Sequence, residues 1–180
     1  IGVQVRCLNN FTMREVSISD LRKAGTKGLS IRSAQANTEP AQYGQWRGGE
    51  VHEVENAVFF ELGTGTRPTG PDWLFENLWL LQETQATPYG TGYHVNSNAV
   101  TIRGGSVQFF DIGVRIVGDD GATGFGKHVN IESVHFEGYQ SGTDGAGDSF
   151  VRVDRHATSE LLPRMSMCEF ANIGKVAEVI

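Results

Sequence analysis

The sequence predicts an all-β protein in which short parallel strands coil into a solenoid of about five to six rungs. Three observations predict this fold: an apolar pattern recurs in a fixed order, its copies are tens of residues apart, and apolar and polar residues alternate within each copy. Fixed-order similarity at such a period is the signature of a repeat architecture. Alternation with a period of two is typical of half-buried strands.

Each copy of the pattern has two elements, apolar-x-x-apolar-x-apolar and, further downstream, Gly-apolar-x-apolar. Gly105 stands where the third copy should have an apolar residue. The copies of the first element are MREVSI (13–18), FENLWL (75–80), IRGGSV (102–107), IESVHF (131–136) and MSMCEF (165–170). The copies of the second element are GLSI (28–31), GYHV (92–95), GVRI (113–116), FVRV without its glycine (150–153) and GKVAEV (174–179).

The spacing of the copies favours parallel strands joined by loops of different length. First elements begin 27 residues apart at Phe75 and Ile102, then 29 apart up to Ile131 and 34 apart up to Met165. The 62 residues from Met13 to Phe75 leave room for two repeats or for one with a large insertion. No window sustains the apolar pattern of an amphipathic helix, and the consensus of leucine-rich repeats does not occur.

Three stretches resemble rungs of the right-handed, single-stranded parallel β-helix of the pectin-lyase-like superfamily: NNFTMREVSISD (9–20), NAVTIRGGSVQFFDIGVRI (98–116) and HVNIESVHFEG (128–138). This superfamily includes polysaccharide lyases, glycoside hydrolases and phage tailspikes. The resemblance covers most of the chain apart from about 32–72. It implies a fold and not one activity, because members place their active sites at different points of a shared scaffold.

A single β-helix segment is expected over residues 1–180, because a solenoid has one continuous core. Segment 32–72 is expected to be a long lateral loop or an irregular rung, with Tyr43 and Trp46 at or near its tip. Such loops build the walls of binding grooves, so Trp46 is a candidate substrate-binding residue. Neither end of the chain has the composition of a polar cap, so the sequence predicts uncapped ends and a fragment of a longer protein.

Outward side chains of stacked parallel strands should form rows, because neighbouring strands lie about 4.8 Å apart. We call the first predicted row the charge ladder. Its alternating signs favour surface ion pairs, with Glu132 as a catalytic acid being the alternative. The charge ladder consists of Arg14, Glu76, Arg103, Glu132 and Ser166.

We call the second predicted row the tryptophan row, and it consists of Ser17, Trp79, Ser106, His135 and Glu169. Trp79 lies between inward Leu78 and Leu80 and should therefore point outward. There it can stack on a sugar ring, anchor another subunit or lie under a loop.

The candidate catalytic group combines His135 and Glu169 with Glu137, which faces the same side as His135. Glycoside hydrolysis needs two carboxyl groups about 5–9.5 Å apart, and Glu137 and Glu169 are diagonal neighbours that can meet this condition. The alternatives are surface charge pairing and ligand binding without catalysis.

A third row occupies the outward position of the second element, at His94, Arg115 and Arg152. Arginine pairs clamp carboxylates, so this row can hold a uronic or sialic acid of a substrate. The alternative is a solvated polar face.

Two Gly/Asp loops raise the question of calcium, because Asp119, Asp120, Asp144 and Asp148 carry oxygen ligands. Their spacing lacks the order of an EF-hand loop, and Asp and Gly are ordinary turn residues. The sequence therefore predicts no cofactor and no metal, with calcium as the alternative.

The charge of the chain limits the classes of binding partner that are expected. The net charge of −6 and the isoelectric point near 5.3 disfavour nucleic acid and are compatible with neutral or amine-bearing glycans. No apolar run approaches the ~20 residues of a membrane span, so no membrane insertion is expected.

Two classes of function remain open. The first is a tailspike-like, glycan-directed protein that binds and can depolymerise a cell-surface polysaccharide as a glycoside hydrolase or a polysaccharide lyase. The second is a non-catalytic shaft or receptor-binding part of a virion or cell-surface fibre, and a secreted polysaccharide lyase is a further alternative. The resemblance and the uncapped ends imply a homotrimer at the virion surface or outside the cell.

Overall fold

In the computed structural model, every regular element of the described residues is a β-strand. The described residues are 1–6, 10–21, 23–32, 42–61, 72–82, 90–96, 99–117, 128–138, 149–154, 163–171 and 175–179. Their strands are β1 (Val3–Arg6), β2 (Thr12–Ile18), β3 (Lys27–Arg32), β4 (Gln45–His52), β5 (Asn56–Glu61), β6 (Trp73–Glu76), β7 (Trp79–Leu81), β8 (Thr91–Val95), β9 (Ala99–Arg103), β10 (Ser106–Gln108), β11 (Ile112–Val117), β12 (His128–Glu132), β13 (His135–Glu137), β14 (Ser149–Asp154), β15 (Arg164–Ser166), β16 (Glu169–Ala171) and β17 (Lys175–Val179).

These strands form two sheets, and within each sheet neighbouring strands pair in parallel. The first sheet has the order β1-β3-β5-β8-β11-β14-β17. The second has the order β15-β12-β9-β6-β4-β7-β10-β13-β16, with β2 paired to β4. Neighbours within a sheet therefore come from successive repeats of the sequence. The all-β, parallel part of the predicted fold is confirmed, and the arrangement is compatible with a β-helix.

The alternation in the sequence separates core from surface as predicted. The first apolar residues of successive repeats stand directly opposite one another in the second sheet. This column joins the buried side chains of both sheets in one apolar core, because each strand turns every second residue to the same side. Its members are Met13, Trp46, Phe75, Ile102, Ile131 and Met165.

A left-handed residue explains the two-residue gap in apolar-x-x-apolar. It lies two positions after the first apolar residue, bends the chain and turns the next apolar residue inward again. Backbone N–H groups at this corner donate to the next repeat, as from Asn77 to the Arg103 carbonyl at 2.8 Å. The residues at the corner are Glu15, Gly48, Asn77, Gly104, Ser133 and Met167, with φ between 50° and 65°.

Segment 32–72 departs from the prediction, because its central part forms regular strands. β4 pairs with β2, β6 and β7, and β5 pairs with β3 and β8. The first element of this repeat is WRGGEV (46–51), which aligns with the imperfect copy IRGGSV through a shared Arg-Gly-Gly. The rest of the segment, 33–41 and 62–71, lies outside the described residues.

Trp46 is accordingly a wrong prediction as a substrate-binding residue. Its side chain is 0% exposed and occupies the inward column of β4 between Met13 and Phe75. A fully buried indole cannot stack on a glycan, so its contribution is to packing. Tyr43, expected beside it, is 45% exposed.

Candidate functional site

The outward rows form in the register that the sequence predicts, and the charge ladder and the tryptophan row each gain one member from β4. Arg47 enters the charge ladder between Arg14 and Glu76. Glu50 enters the tryptophan row between Ser17 and Trp79. Both additions come from the repeat that the apolar pattern missed. The shared Arg-Gly-Gly was the signal that could have found it.

The charge ladder consists of exposed ion pairs. Glu76 lies 3.4 Å from Arg47 and 3.8 Å from Arg103, and Arg103 Nε donates to Glu132 at 2.9 Å. Glu132, a candidate catalytic acid, is therefore held by an arginine. Its carboxylate is therefore engaged in an ion pair within the chain.

Trp79 points outward as predicted, since its side chain is 58% exposed while Leu78 and Leu80 are buried. It lines a groove of about 480 Å³ on the outer face of β2, β4 and β7, which we call the Trp79 groove. The residues lining this groove are Glu15, Ser17, Gly48, Gly49, Glu50, Asn77 and Trp79.

Two carboxylates line the Trp79 groove, and that of Glu50 is held by contacts within the chain. Ser17 Oγ donates to Glu50 Oε1 at 2.8 Å, and His52 Nε2 lies 3.2 Å from Glu50 Oε2. The carboxylate of Glu15 lies against the backbone of Gly48, where a Cβ would stand 2.1 Å from Glu15 Oε1. Neither glutamate was a candidate in the sequence analysis. The two glutamates come together only because β2 pairs with β4, which brings residues such as Ser17 and Glu50, 33 positions apart in the chain, into contact.

His135 lies between the two carboxylates of the candidate catalytic group. Its Nδ1 is 3.4 Å from Glu169 Oε2, and its Nε2 is 3.7 Å from Glu137 Oε2. The structure thus brings all three predicted residues together. The imidazole contacts one carboxylate through each ring nitrogen, which is the arrangement of a surface charge cluster as well as of a catalytic one.

Ser106 occupies the tryptophan row between Trp79 and His135 but is only 5% exposed. It is a small side chain flanked by two large ones. Its Oγ has no hydrogen-bond partner among the described residues. Such a group is unusual, because buried hydroxyls normally form at least one hydrogen bond.

The third predicted row is in register, with His94 opposite Arg115 and Arg115 opposite Arg152. Both arginines are bound to Asp154: Arg115 Nε donates at 2.7 Å and Arg152 Nε at 3.0 Å. Burial alone would raise the pKa of Asp154, but the hydrogen bonds and charges of Arg115 and Arg152 outweigh it and hold this pKa below its usual value. The chain's own carboxylate occupies the place expected for a uronate.

His94 makes an aromatic contact within the chain. The centroid of the His94 ring lies 4.4 Å from that of Phe59. The Lys27 ammonium stands over the Phe59 ring, 4.1 Å from its centroid. The contact extends the third row toward β5 and β3. His94 is therefore part of a packed surface. The sequence predicted instead that it binds a carboxylate together with the arginines.

A second groove, of about 540 Å³, lies beside the exposed ring of Tyr43 at the start of β4 and β6. Its lining mixes amide, hydroxyl, carboxylate and guanidinium groups. The residues lining it are Asn10, Tyr43, Gln45, Asp72, Trp73, Leu74, Thr101 and Arg103.

Within the described residues, no three His, Cys, Asp or Glu side chains are grouped so that they can hold a metal ion. The loops with Asp119, Asp120, Asp144 and Asp148 lie outside that part of the chain. The calcium alternative therefore stays a prediction of the sequence.

Comparison with known proteins finds no matching family model, no matching curated protein and no matching solved structure. In the part of the chain that the structure describes, there is no helix of the length and apolarity that a membrane span requires. The class defined by the fold and the outer face is thus an all-β protein of parallel sheets with an aromatic, acidic groove.

Proposed function

We propose that this chain is a segment of a right-handed, single-stranded parallel β-helix that binds a cell-surface polysaccharide along its outer face. Parallel sheets whose neighbours come from successive repeats support the β-helix. So does the column of left-handed corner residues, because a coil must turn at the same place in every rung. The resemblance of three stretches to rungs of a superfamily that includes tailspikes leads us to propose, in addition, a glycan-directed homotrimer at the virion surface or outside the cell.

The Trp79 groove carries the proposal. The indole of Trp79 is 58% exposed, so much of its apolar surface is left in contact with water. It stands on a paired strand beside a concave surface. Aromatic faces stack on the apolar face of a sugar ring, while nearby carboxylates accept hydrogen bonds from its hydroxyls. Glu50 is already oriented by Ser17, so little side-chain entropy is lost when a ligand binds.

The first test uses tryptophan fluorescence, because only one of the three tryptophans is accessible. Trp46 and Trp73 are 0% and 2% exposed, so acrylamide should quench Trp79 selectively. A bound polysaccharide should protect Trp79 from quenching. We expect Trp79→Ala to weaken binding about thirtyfold, the effect of truncating a central aromatic anchor.

Met167→Ala is the matched control, because Met167 is 80% exposed and does not line the groove. Met167→Ala should bind like the wild type. A panel of capsular and O-antigen polysaccharides that leaves Trp79 unprotected, or equal binding by Trp79→Ala, would contradict the proposed function.

Depolymerisation of the bound glycan is the second candidate function, favoured by the cluster of Glu137, His135 and Glu169. If these carboxylates act as acid and base or nucleophile, Glu137→Gln and Glu169→Gln should each lower cleavage at least about a hundredfold. New reducing ends identify a hydrolase, and absorbance of an unsaturated uronate identifies a lyase. Unchanged cleavage in both variants removes this cluster from the chemistry. Binding without any cleavage leaves the shaft or receptor-binding module.

A further inference from the structure

We propose that the Trp79 groove is selective for a sugar that carries a free amino group, such as a hexosamine unit without an acetyl group. This inference rests on the proposed function, because it names the class of glycan that the same groove takes. It follows from the charge of the lining, the placement of the carboxylates and the exposed indole.

Among the described residues, the lining of the groove carries two carboxylates and no basic side chain. Arg14 and Arg47 belong to the charge ladder and are outside the lining, and Arg47 lies 3.4 Å from Glu76. His52 contacts Glu50 on the side of that carboxylate away from the Ser17 bond. A cationic ligand group therefore meets an excess of negative charge, and an anionic one is repelled.

The Glu50 carboxylate is positioned before a ligand arrives, and the Glu15 carboxylate lies in the same lining. The Ser17 hydroxyl fixes Glu50 at 2.8 Å, and the absence of a side chain at Gly48 lets the Glu15 carboxylate lie directly against the strand. An ammonium group has three donors that such carboxylates can accept. Pre-positioned charges cost little reorganisation on binding.

The indole of Trp79 adds a second preference for a cationic ligand group. The face of an exposed tryptophan attracts cations within about 6 Å and also stacks on the C–H face of a sugar. An amino sugar offers both features in one ring. A neutral hexose offers the stacking alone, and a uronate places a third carboxylate beside Glu15 and Glu50.

Ser106 stands directly beside Trp79 on the next strand but outside the lining of the groove, and its buried Oγ lacks a hydrogen-bond partner among the described residues.

The test compares three hexasaccharides with the full chain at one salt concentration and mildly acidic pH, where the sugar amine is protonated. The probes are hexaglucosamine, its fully N-acetylated counterpart and hexagalacturonate, and the readout is protection of Trp79 together with calorimetric Kd. We expect hexaglucosamine to bind at least about tenfold more tightly than the acetylated hexamer, and hexagalacturonate not to bind. Glu50→Gln and Glu15→Gln should each reduce that preference.

Asp20→Asn is the matched control, because it removes one negative charge from an exposed side chain that is not in the lining. It should keep the preference for hexaglucosamine. Equal loss in Asp20→Asn shows general attraction to an acidic protein and overturns the inference. Equal binding of the two glucosamine hexamers, dependent on Trp79, overturns the amine selectivity and leaves the proposed function standing. Failure of these hexamers and of the whole polysaccharide panel to protect Trp79 removes both.

Discussion

At Asp154, one carboxylate lies between the two arginines that were expected to bind an acidic sugar. The contact of 2.7 Å to Arg115 joins strands from different repeats, and the contact of 3.0 Å to Arg152 lies within β14. With its side chain 23% exposed, Asp154 is shielded enough for these charge-assisted hydrogen bonds to matter. The arginine pair thus stabilises the sheet, because its charge is already balanced within the chain.

Asp154→Asn should lower the free energy of unfolding by about 1 kcal/mol at neutral pH, because two arginines lose their counter-charge. The folded-state pKa of Asp154 is below the unfolded value, so its contribution is present above the unfolded pKa and is lost as the pH falls. The difference between variant and wild type should therefore shrink as the pH falls below about 4.

Denaturant titrations at several pH values measure this difference. Glu169→Gln serves as the comparison, since its exposed carboxylate should change stability little at any pH. A difference for Asp154→Asn that stays constant down to the acid-unfolded range would contradict the paired role.

At the scale of the strand, two glycine pairs let the chain turn where other repeats use a left-handed residue and an apolar one. Gly104 and Gly105 have φ of 61° and 77°, and a Cβ at Gly105 would stand 2.1 Å from the Leu78 carbonyl oxygen. The apolar position of the pattern is therefore absent because neighbouring backbones approach too closely for a side chain. Gly48 and Gly49 repeat this arrangement in β4.

Gly105→Ala should lower the free energy of unfolding by about 3 kcal/mol, because overpacking against the Leu78 backbone adds to the strain of a left-handed alanine. Gly25→Ala is the matched control: its φ is 77°, but a Cβ there meets nothing within 4 Å. Gly25→Ala should lower the free energy of unfolding by only about 1 kcal/mol, the cost of placing alanine in the left-handed conformation. Equal losses in denaturant unfolding would show that the close approach has no energetic consequence.

At the scale of the whole molecule, every outward site is assembled from distant parts of the sequence. The Trp79 groove joins residues of β2, β4 and β7, and the cluster at His135 joins β13 and β16. Arg47 and Arg103 of the charge ladder and both arginines at Asp154 are paired with carboxylates, while the described lining of the Trp79 groove is acidic. The proposed selectivity for an amine-bearing glycan rests on this distribution of charge.

Several elements were predictable because their signal is local. Alternation marked the strands and the outward position of Trp79, and the spacing of the copies placed Arg103 opposite Glu132 and His135 opposite Glu169. The repeat containing Trp46 has a glycine, Gly49, at the same apolar position as the recognised copy IRGGSV, and it was missed because turn residues surround it in segment 32–72. Where packing demands the absence of a side chain, the apolar pattern has a gap.

The sequence by itself determined the strands, their inward and outward faces and the order of the rows, because a period of two and a repeated spacing are properties of the chain alone. Only the tertiary structure decided the contacts outside the predicted rows. Asp154 binds Arg115, Trp46 enters the core, and Glu15 and Glu50 line the groove beside Trp79. These outcomes depend on contacts between side chains of different repeats, and their distances are set by how the strands stack and turn.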